Sequence, residues 1–456
     1  MENTMRTLSD LLHHSVPLGD GGEVLVLNTG AIIDAEAAAM LGALHSRSAG
    51  GIRGHLKVLE EKGASNFMAN FYVGYGHKSI GDLGDAHIFI EGVSMLAAKA
   101  IQDFPLYNGQ EVSTRYVDFS QQRFVDPAGT PESAALLEDL RAFYLAGIEE
   151  LVRTLPERFP RGPEESEKKY EKAIKARAFD IMRSFLPAGA STNLVWVGPL
   201  RQFADRLPTL RNHPLPEVRD LAAALEQSLL SAFPNSFSDK RYEATEAYHE
   251  LCGSKYAYFD DAGCPEFALT HDALRPERLA DYRDALSERP PKTELPFAAR
   301  ECGTLEFQFL LDFGSYRDLQ RHRAVIAPMP LLTGAHGFEP WYLEELPEGL
   351  RAKAQSFLTE YEERVAALGL SPELAQYYLP MGFRTANRLT GDLRALVYLV
   401  ELRAGSTVHA TLRRRAIEMA RVLEERCTEY GLALHYDQEP DRFDVKRGDQ
   451  DIVLKD

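Results

Sequence analysis

The sequence predicts an α+β fold made of two related repeats joined head to tail. Three observations carry that expectation: an internal repeat of spacing, matching helical segments around each copy of it, and a strand-forming run ahead of each. Leu186-Pro187 is followed by Gly189, Thr192 and Arg201, then by Leu210-Arg211, His213 and Arg219. Leu379-Pro380 is followed by Gly382, Thr385 and Arg394, then by Leu402-Arg403, His409 and Arg413. From the proline to the glycine, the threonine and the first arginine the intervals agree. Later ones differ by short insertions, which loops absorb.

The helical segments come next. PESAALLEDLRAFYLAGIEELVRTL ahead of the first Leu-Pro and EGLRAKAQSFLTEYEERVAAL ahead of the second carry apolar residues at helical spacing. PEVRDLAAALEQSLLSAF and ATLRRRAIEMARVLEERC, after the two Leu-Arg pairs, do the same. The strands are AHIFIEGV, residues 86–93, and TLEFQFLLDF, residues 304–313, both rich in β-branched and aromatic side chains with partial alternation. Between the copies, residues 236–295 are dense in turn formers and charges. The expected division is therefore a first repeat over 1–240, a connector with a little structure of its own over 241–295, and a second repeat over 296–456.

A chain of 456 residues allows two or three domains, and its apolar and charged fractions are those of globular proteins. The formal charge of -17 repels a polyanion, so no long nucleic acid is expected as a partner, while a local basic pocket can still hold a small phosphate ester. MENTMRTLSDLLHH lacks a basic segment followed by an apolar one, and no eighteen apolar residues run together, so the expectation is a cytoplasmic protein with no membrane contact. Cys252, Cys264, Cys302 and Cys427 are scattered without CxxC spacing, which suits inert thiols and neither a disulfide framework nor a metal site.

Three clusters can carry chemistry. Gly76-His77-Lys78-Ser79 with Asp82 offers groups that hold a ring or a phosphate, although such residues also cap helices. Glu111-Val112-Ser113-Thr114-Arg115-Tyr116, if extended, points Glu111, Ser113 and Arg115 to one side. An acceptor, a hydroxyl and a guanidinium together suit a phosphorylated uridine, and equally a surface ion pair. Arg321-His322-Arg323 enters the apolar run AVIAPMPLLT, so at least one of the three turns inward. A buried arginine there needs an anion, from a ligand phosphate or from a carboxylate of the fold.

These residues resemble the signature of the flavin-dependent thymidylate synthase (ThyX) family: Arg-His-Arg, a run ending in Glu-x-Ser-x-Arg-Tyr, Gly-His-x-Ser upstream and an arginine-rich helix downstream. The first half carries YGHKS, FIEGVS and EVSTRY, with Asp103-Phe104-Pro105 where Arg-His-Arg belongs. The second half carries QRHRA and GDLRALVYLVELRAG with His409, but PMPLLTG in place of Ser-x-Arg-Tyr, and Asp392 and Tyr398 where the family has asparagines. The resemblance implies two ThyX-like repeats, each an antiparallel sheet with long helices, related by a pseudo-twofold axis. It also implies reductive methylation of dUMP with FAD as cofactor and NADPH and methylenetetrahydrofolate as co-substrates.

By the same resemblance Arg403 polarises the uracil and is the catalytic residue, while His77, Ser79, Arg321, His322, Arg323, Arg394 and His409 contact flavin. Glu111, Ser113 and Arg115 contact the nucleotide, and no metal is expected. The family is a homotetramer with sites built from several subunits, so a homodimer of this double-length chain is expected. Half of the sites then survive, assembled from Glu111, Ser113 and Arg115 of one copy and Arg321, His322, Arg323 and Arg403 of the other. Two alternatives remain open on these residues: a catalytically inactive relative that binds nucleotide or flavin or serves as a scaffold, and a flavoenzyme acting on another pyrimidine nucleotide.

Overall fold

Alternation of apolar residues sets the frame of the first sheet. The computed structural model describes residues 13–19, 22–27, 34–45, 51–70, 78–114 and 117–439. In chain order the strands are β1 (His13–Pro17), β2 (Glu23–Leu27), β3 (Asp85–Ser94), β4 (Asn108–Glu111), β5 (Ser191–Pro199), β6 (Phe267–Asp272), β7 (Thr304–Asp312) and β8 (Arg384–Asp392). The principal helices are α1 (Ala35–His45), α2 (Gly51–Lys62), α3 (Met95–Gln102), α4 (Pro131–Arg158), α5 (Glu167–Met182), α6 (Leu200–Arg211), α7 (Pro216–Ala232), α8 (Glu243–Tyr256), α9 (Phe313–Leu319), α10 (Glu348–Ala367), α11 (Leu393–Arg403) and α12 (Ala410–Cys427). The chain forms two compact units, each discontinuous in sequence: Met1–Ser113 with Ser191–Ala257, and Thr114–Ala190 with Tyr258–Asp456.

The first unit holds a five-stranded sheet in the order β1-β2-β3-β5-β4, antiparallel throughout. On β3, Ala86, Ile88 and Ile90 are buried while their neighbours face outward, the period-two pattern of a sheet with one packed face. Between Ile90 and Val93 the register to β5 slips, and Gly92 takes φ 68° there. A side chain resists that conformation, so glycine makes the bulge possible. Ser94 then ends the strand by accepting the Ala97 N–H at 3.0 Å and starting α3, which is buried along its whole length.

The second unit holds the antiparallel sheet β6-β7-β8. β7 passes into α9 through Asp312, whose carboxylate accepts the Ser315 N–H at 2.9 Å, and β8 passes into α11 through Asp392, which accepts the Ala395 N–H at 3.0 Å. The long helix α4 starts from a capping box of Thr130 and Ser133 with Pro131 at its first position. It packs on α10 through Phe143 and Phe357, stacked at 4.5 Å.

Both Leu-Pro segments lie in this second unit and pair with each other in antiparallel fashion about Pro187 and Pro380. Ala188 N–H donates to Leu379 O and Met381 N–H to Leu186 O, each at 2.9 Å, so the residues flanking the prolines supply the bonds that the prolines lack. The spacing repeat falls at corresponding places in the elements. Thr192 and Thr385 are second in β5 and β8, Arg201 and Arg394 second in α6 and α11, and Arg211 and Arg403 the last residues of those helices. The segment 241–295 contributes α8 to the first unit and β6 to the second.

Candidate functional site

Polar residues concentrate in the second unit where three helix ends bring arginines together. α9 ends at Leu319 and releases Arg321-His322-Arg323, α11 ends at Arg403, and the turn after α5 carries Arg183. The segment after Arg323 is pinned to β8 by a reciprocal pair of bonds between Ile326 and Thr390, at 2.8 and 2.9 Å.

Of the three consecutive residues, Arg321 is exposed, Arg323 half-buried and His322 buried. The inward member is therefore the imidazole. Burial and the adjacent Arg403 push its pKa down to about 3, so it is neutral at physiological pH and requires no anion. Its Nε2 accepts Arg403 Nε at 2.7 Å, and Arg403 Nη2 donates to the Asp318 carbonyl at 2.8 Å. The Tyr398 ring lies edge-on to His322, with centroids 5.9 Å apart. Arg403 is thus a cation held in one orientation by uncharged partners.

Asp318 is the carboxylate at the centre. Burial raises it, but Arg321, Arg403, Arg183 and Arg317 around it prevail and hold it below the usual range. Arg321 Nε is 3.4 Å from Asp318 Oδ1. Four guanidiniums around this carboxylate leave a surplus of positive charge.

Arg183 joins this cluster to a second, fully buried one. Burial opposes its charge, yet Asp180, Tyr342, Asp318 and Asp312 hold it protonated. Nη1 lies 3.8 Å from Asp180 Oδ1, whereas Nε and Nη2 are buried without a hydrogen-bond partner among the described residues. Burial raises the Asp312 carboxyl, against the pull of Thr411, Tyr342 and Arg183. Tyr342 Oη donates to Asp312 Oδ2 at 2.9 Å, and Ser315 and Thr411 share a 2.7 Å hydroxyl bond beside His409, whose Nδ1 is 2.9 Å from Thr411 Oγ1.

The first unit has no comparable cluster at Asp103-Phe104-Pro105. Phe104 packs edge-on against Trp196 at 6.4 Å, within a group containing Tyr107 and Phe203. Burial raises the Asp103 carboxyl and lowers Arg206, which donates to Ala100 O at 2.7 Å and lies over the Phe104 ring. That spot is a packed aromatic core.

The sequence profile of the family described as thymidylate synthase complementing protein matches residues 31–235 and 301–427, well over half of the chain. The chain belongs to that family. Among relatives of the chain, a UPF0159 protein of Chlamydia muridarum is 28% identical, with 78% of each chain covered. One of Chlamydia pneumoniae is 26% identical with 78% of each covered, and one of Thermoplasma acidophilum 25% identical with 79% of this chain and 86% of the relative covered.

The family residues expected from the sequence are distributed as follows. His77 and Arg115 lie outside the described residues, and Ser79 lies in a 3-10 turn, Lys78–Leu83, with its side chain outside the description. Glu111 is in the first unit, on β4, where its Oε2 takes Lys99 Nζ at 2.7 Å and Gln102 Nε2 at 2.9 Å, all three side chains buried. Ser113 is half-buried at the end of the same segment. Arg321, His322, Arg323, Arg394, Arg403 and His409 are all in the second unit. Among them, Arg394 is engaged by Leu295 O at 2.9 Å and by Glu294.

Asp392, in a family asparagine position, is also committed: it caps α11 and takes Arg300 Nε at 2.8 Å. Arg183 and Asp318 were not singled out from the sequence. The available signal was the Leu-Pro repeat itself, because Arg183 precedes Leu186 by the interval at which Gln376 precedes Leu379. Three cysteines are buried, and burial raises Cys302 to about 11 and Cys427 to about 12, leaving no activated thiol there. Among the described residues no helix is long and apolar enough to cross a membrane.

Proposed function

We propose that the chain is a flavin-dependent thymidylate synthase acting on dUMP, with methylenetetrahydrofolate as carbon donor, FAD as cofactor and NADPH as reductant. The observation that carries this reading is the arginine cluster around Asp318, with two buried N–H groups of Arg183 that have no hydrogen-bond partner among the described residues. Unpartnered buried donors beside surplus positive charge fit an anionic ester such as a nucleotide or flavin phosphate. The exposed Tyr398, Leu402 and Ile326, on the same two segments as Arg403 and His322, offer an apolar surface for a planar ring.

In this reading Arg321 and Arg323 neutralise the phosphates, and Arg183 supplies bonds that water does not reach. Arg403, fixed by His322 and the Asp318 carbonyl, stabilises negative charge as it develops on the uracil edge. A cation oriented in advance costs no reorganisation during the reaction. When bound, the reduced flavin supplies the hydride that completes the methyl group.

The same reading takes the two halves as descendants of one unit, over 1–240 and 296–456. It is supported by the matched positions of Thr192 and Thr385, of Arg201 and Arg394 and of Arg211 and Arg403, and by the antiparallel pairing of the Leu-Pro segments. The packed aromatic group at Phe104, where the family has Arg-His-Arg, supports giving the arginine part of the site to the second half.

Tritium release from C5-labelled dUMP, with FAD, NADPH and methylenetetrahydrofolate present, tests the proposal. The wild type should release tritium, and Arg403→Ala should lower the rate on the order of 10²- to 10³-fold. Binding of dUMP or FAD without release would instead assign the cluster to a non-catalytic nucleotide-binding protein.

A further inference from the structure

Two fully buried carboxylates belong to the cluster that Arg183 joins: Asp312 at the end of β7, and Glu339 ahead of the short helix Pro340–Glu344. One oxygen of each is committed. Asp312 Oδ2 accepts the Ser315 N–H and the Tyr342 hydroxyl, both at 2.9 Å, and Glu339 Oε1 accepts the Trp341 N–H at 3.4 Å and Arg414 Nη2 at 3.0 Å. The other oxygen of each, Asp312 Oδ1 and Glu339 Oε2, is buried with no hydrogen-bond partner among the described residues.

A carboxylate in a dry site keeps its charge only where donors and cations meet it. Asp312 is faced by Arg183 from the turn after α5, by Tyr342 and Glu339 from the segment 339–344, by Ser315 from α9, and by Thr411, with His409 beside it, from the start of α12. Glu339 is faced by Asp312 and Tyr342, and by Arg414 of α12. Burial raises both carboxyls, and Asp312 raises Glu339 further. With no third metal-ligating side chain grouped with them among the described residues, a proton is the cation that these two oxygens can take.

The charge that opposes protonation of Asp312 from the arginine side is that of Arg183, and it is shared among Asp180, Tyr342, Asp318 and Asp312. An anion that accepts its buried Nε and Nη2 brings a further negative charge to the same dry cluster.

We infer that binding of an anionic group at Arg183 is coupled to uptake of one proton by the buried pair of Asp312 and Glu339. The inference rests on the reading of this cluster as a phosphate site. Arg414, with its side chain 43% exposed, joins Glu339 to the surface.

The sign follows from linkage. Below the pair's pKa in the free protein the proton is already present and affinity is high and constant. Between that value and the higher one of the complex, each bound anion brings a proton, so affinity falls as pH rises. Both carboxyls are raised, which puts the window above about pH 4.

Titration of FAD into the full chain, followed by flavin fluorescence from mildly acid to mildly alkaline pH, tests the inference, since the pyrophosphate keeps its charge over that range. Wild-type affinity should fall with pH several-fold, at most about ten-fold per pH unit for one proton. Calorimetry within the window, in two buffers of different ionisation enthalpy, should count the same proton and needs no variant. Asp312→Asn should flatten the profile, because asparagine still caps α9 but takes no proton. Glu339→Gln should move the step to lower pH, because Asp312 loses a like-charged neighbour.

A slope that persists in Asp312→Asn belongs to another group, such as His409, and overturns the inference. So does FAD held equally at every pH, which would leave the two oxygens to bound water, and so does FAD not held at all. The functional reading fails by a different result. FAD bound with its proton but no tritium released from C5-labelled dUMP keeps the coupling and ends the thymidylate synthase proposal, whereas tritium release with a flat pH profile does the reverse.

Discussion

His322 sits in a run of cations, yet its work depends on being uncharged. Its pKa near 3 keeps Nε2 free to accept from Arg403 across the whole neutral range. Because the unfolded chain protonates this imidazole near its ordinary value and the folded chain does not, the unfolded state binds more protons between about pH 3 and 6.5. Stability therefore falls as pH falls through that window, by up to about 1.4 kcal/mol per pH unit for each such histidine. His213 in the first unit, also held near 3 by burial, Arg206 and Arg219, adds a second contribution of the same sign. Denaturant unfolding at pH 4 to 7 should show this slope, and His322→Gln should reduce it by one histidine's share. Arg183 contributes differently, through donors that are unmet among the described residues. Arg183→Gln should weaken binding of dUMP or FAD roughly 10- to 100-fold, the worth of a charge-assisted hydrogen bond, as read by equilibrium titration.

At the scale of elements, a buried ion pair ties α3 to β4. Lys99 and Glu111 meet at 2.7 Å with side chains at most 2% exposed, and Gln102 bridges them. Lys99→Met leaves the carboxylate buried without its counter-charge and should cost about 3–5 kcal/mol in chemical unfolding. Lys99→Met with Glu111→Leu should recover most of that loss, because neither charge is then stranded. Much at this scale was legible in the sequence. The runs at 131–155, 348–368, 216–233 and 410–427 correspond to α4, α10, α7 and α12, and the two strand-forming runs to β3 and β7, because periodicity writes burial into the chain. Pairing was not legible. Strands β1, β2 and β4, of five, five and four residues, are too short to show a period. Nothing in the Leu-Pro motifs announces that each is the other's partner. Glu111 read as a ligand group because Lys99, its counter-charge, lies in the apolar run MLAAKAIQ and gives no sign of facing it. The cation at the site was legible in Arg321-His322-Arg323, while Asp318 and Arg183 owe their place to helix ends that converge only in the fold.

For the whole molecule, a chain of net charge -17 concentrates at least four guanidiniums around one carboxylate. In the proposed reading such a local inversion favours small anionic esters over long polyanions, whose remaining charges would be repelled by the net negative chain. Affinity for a dianionic nucleotide should fall several-fold between low and physiological ionic strength, because part of the attraction is screened beyond about 8–10 Å. The central claim is that this cluster in the second unit binds the nucleotide and flavin phosphates. Its most direct test is titration of FAD, followed by flavin fluorescence, into wild type and Arg323→Ala at equal salt. Saturable quenching by the wild type, weakened at least ten-fold in the variant, is the predicted result. Wild type and variant quenching alike, or neither quenching, would contradict it.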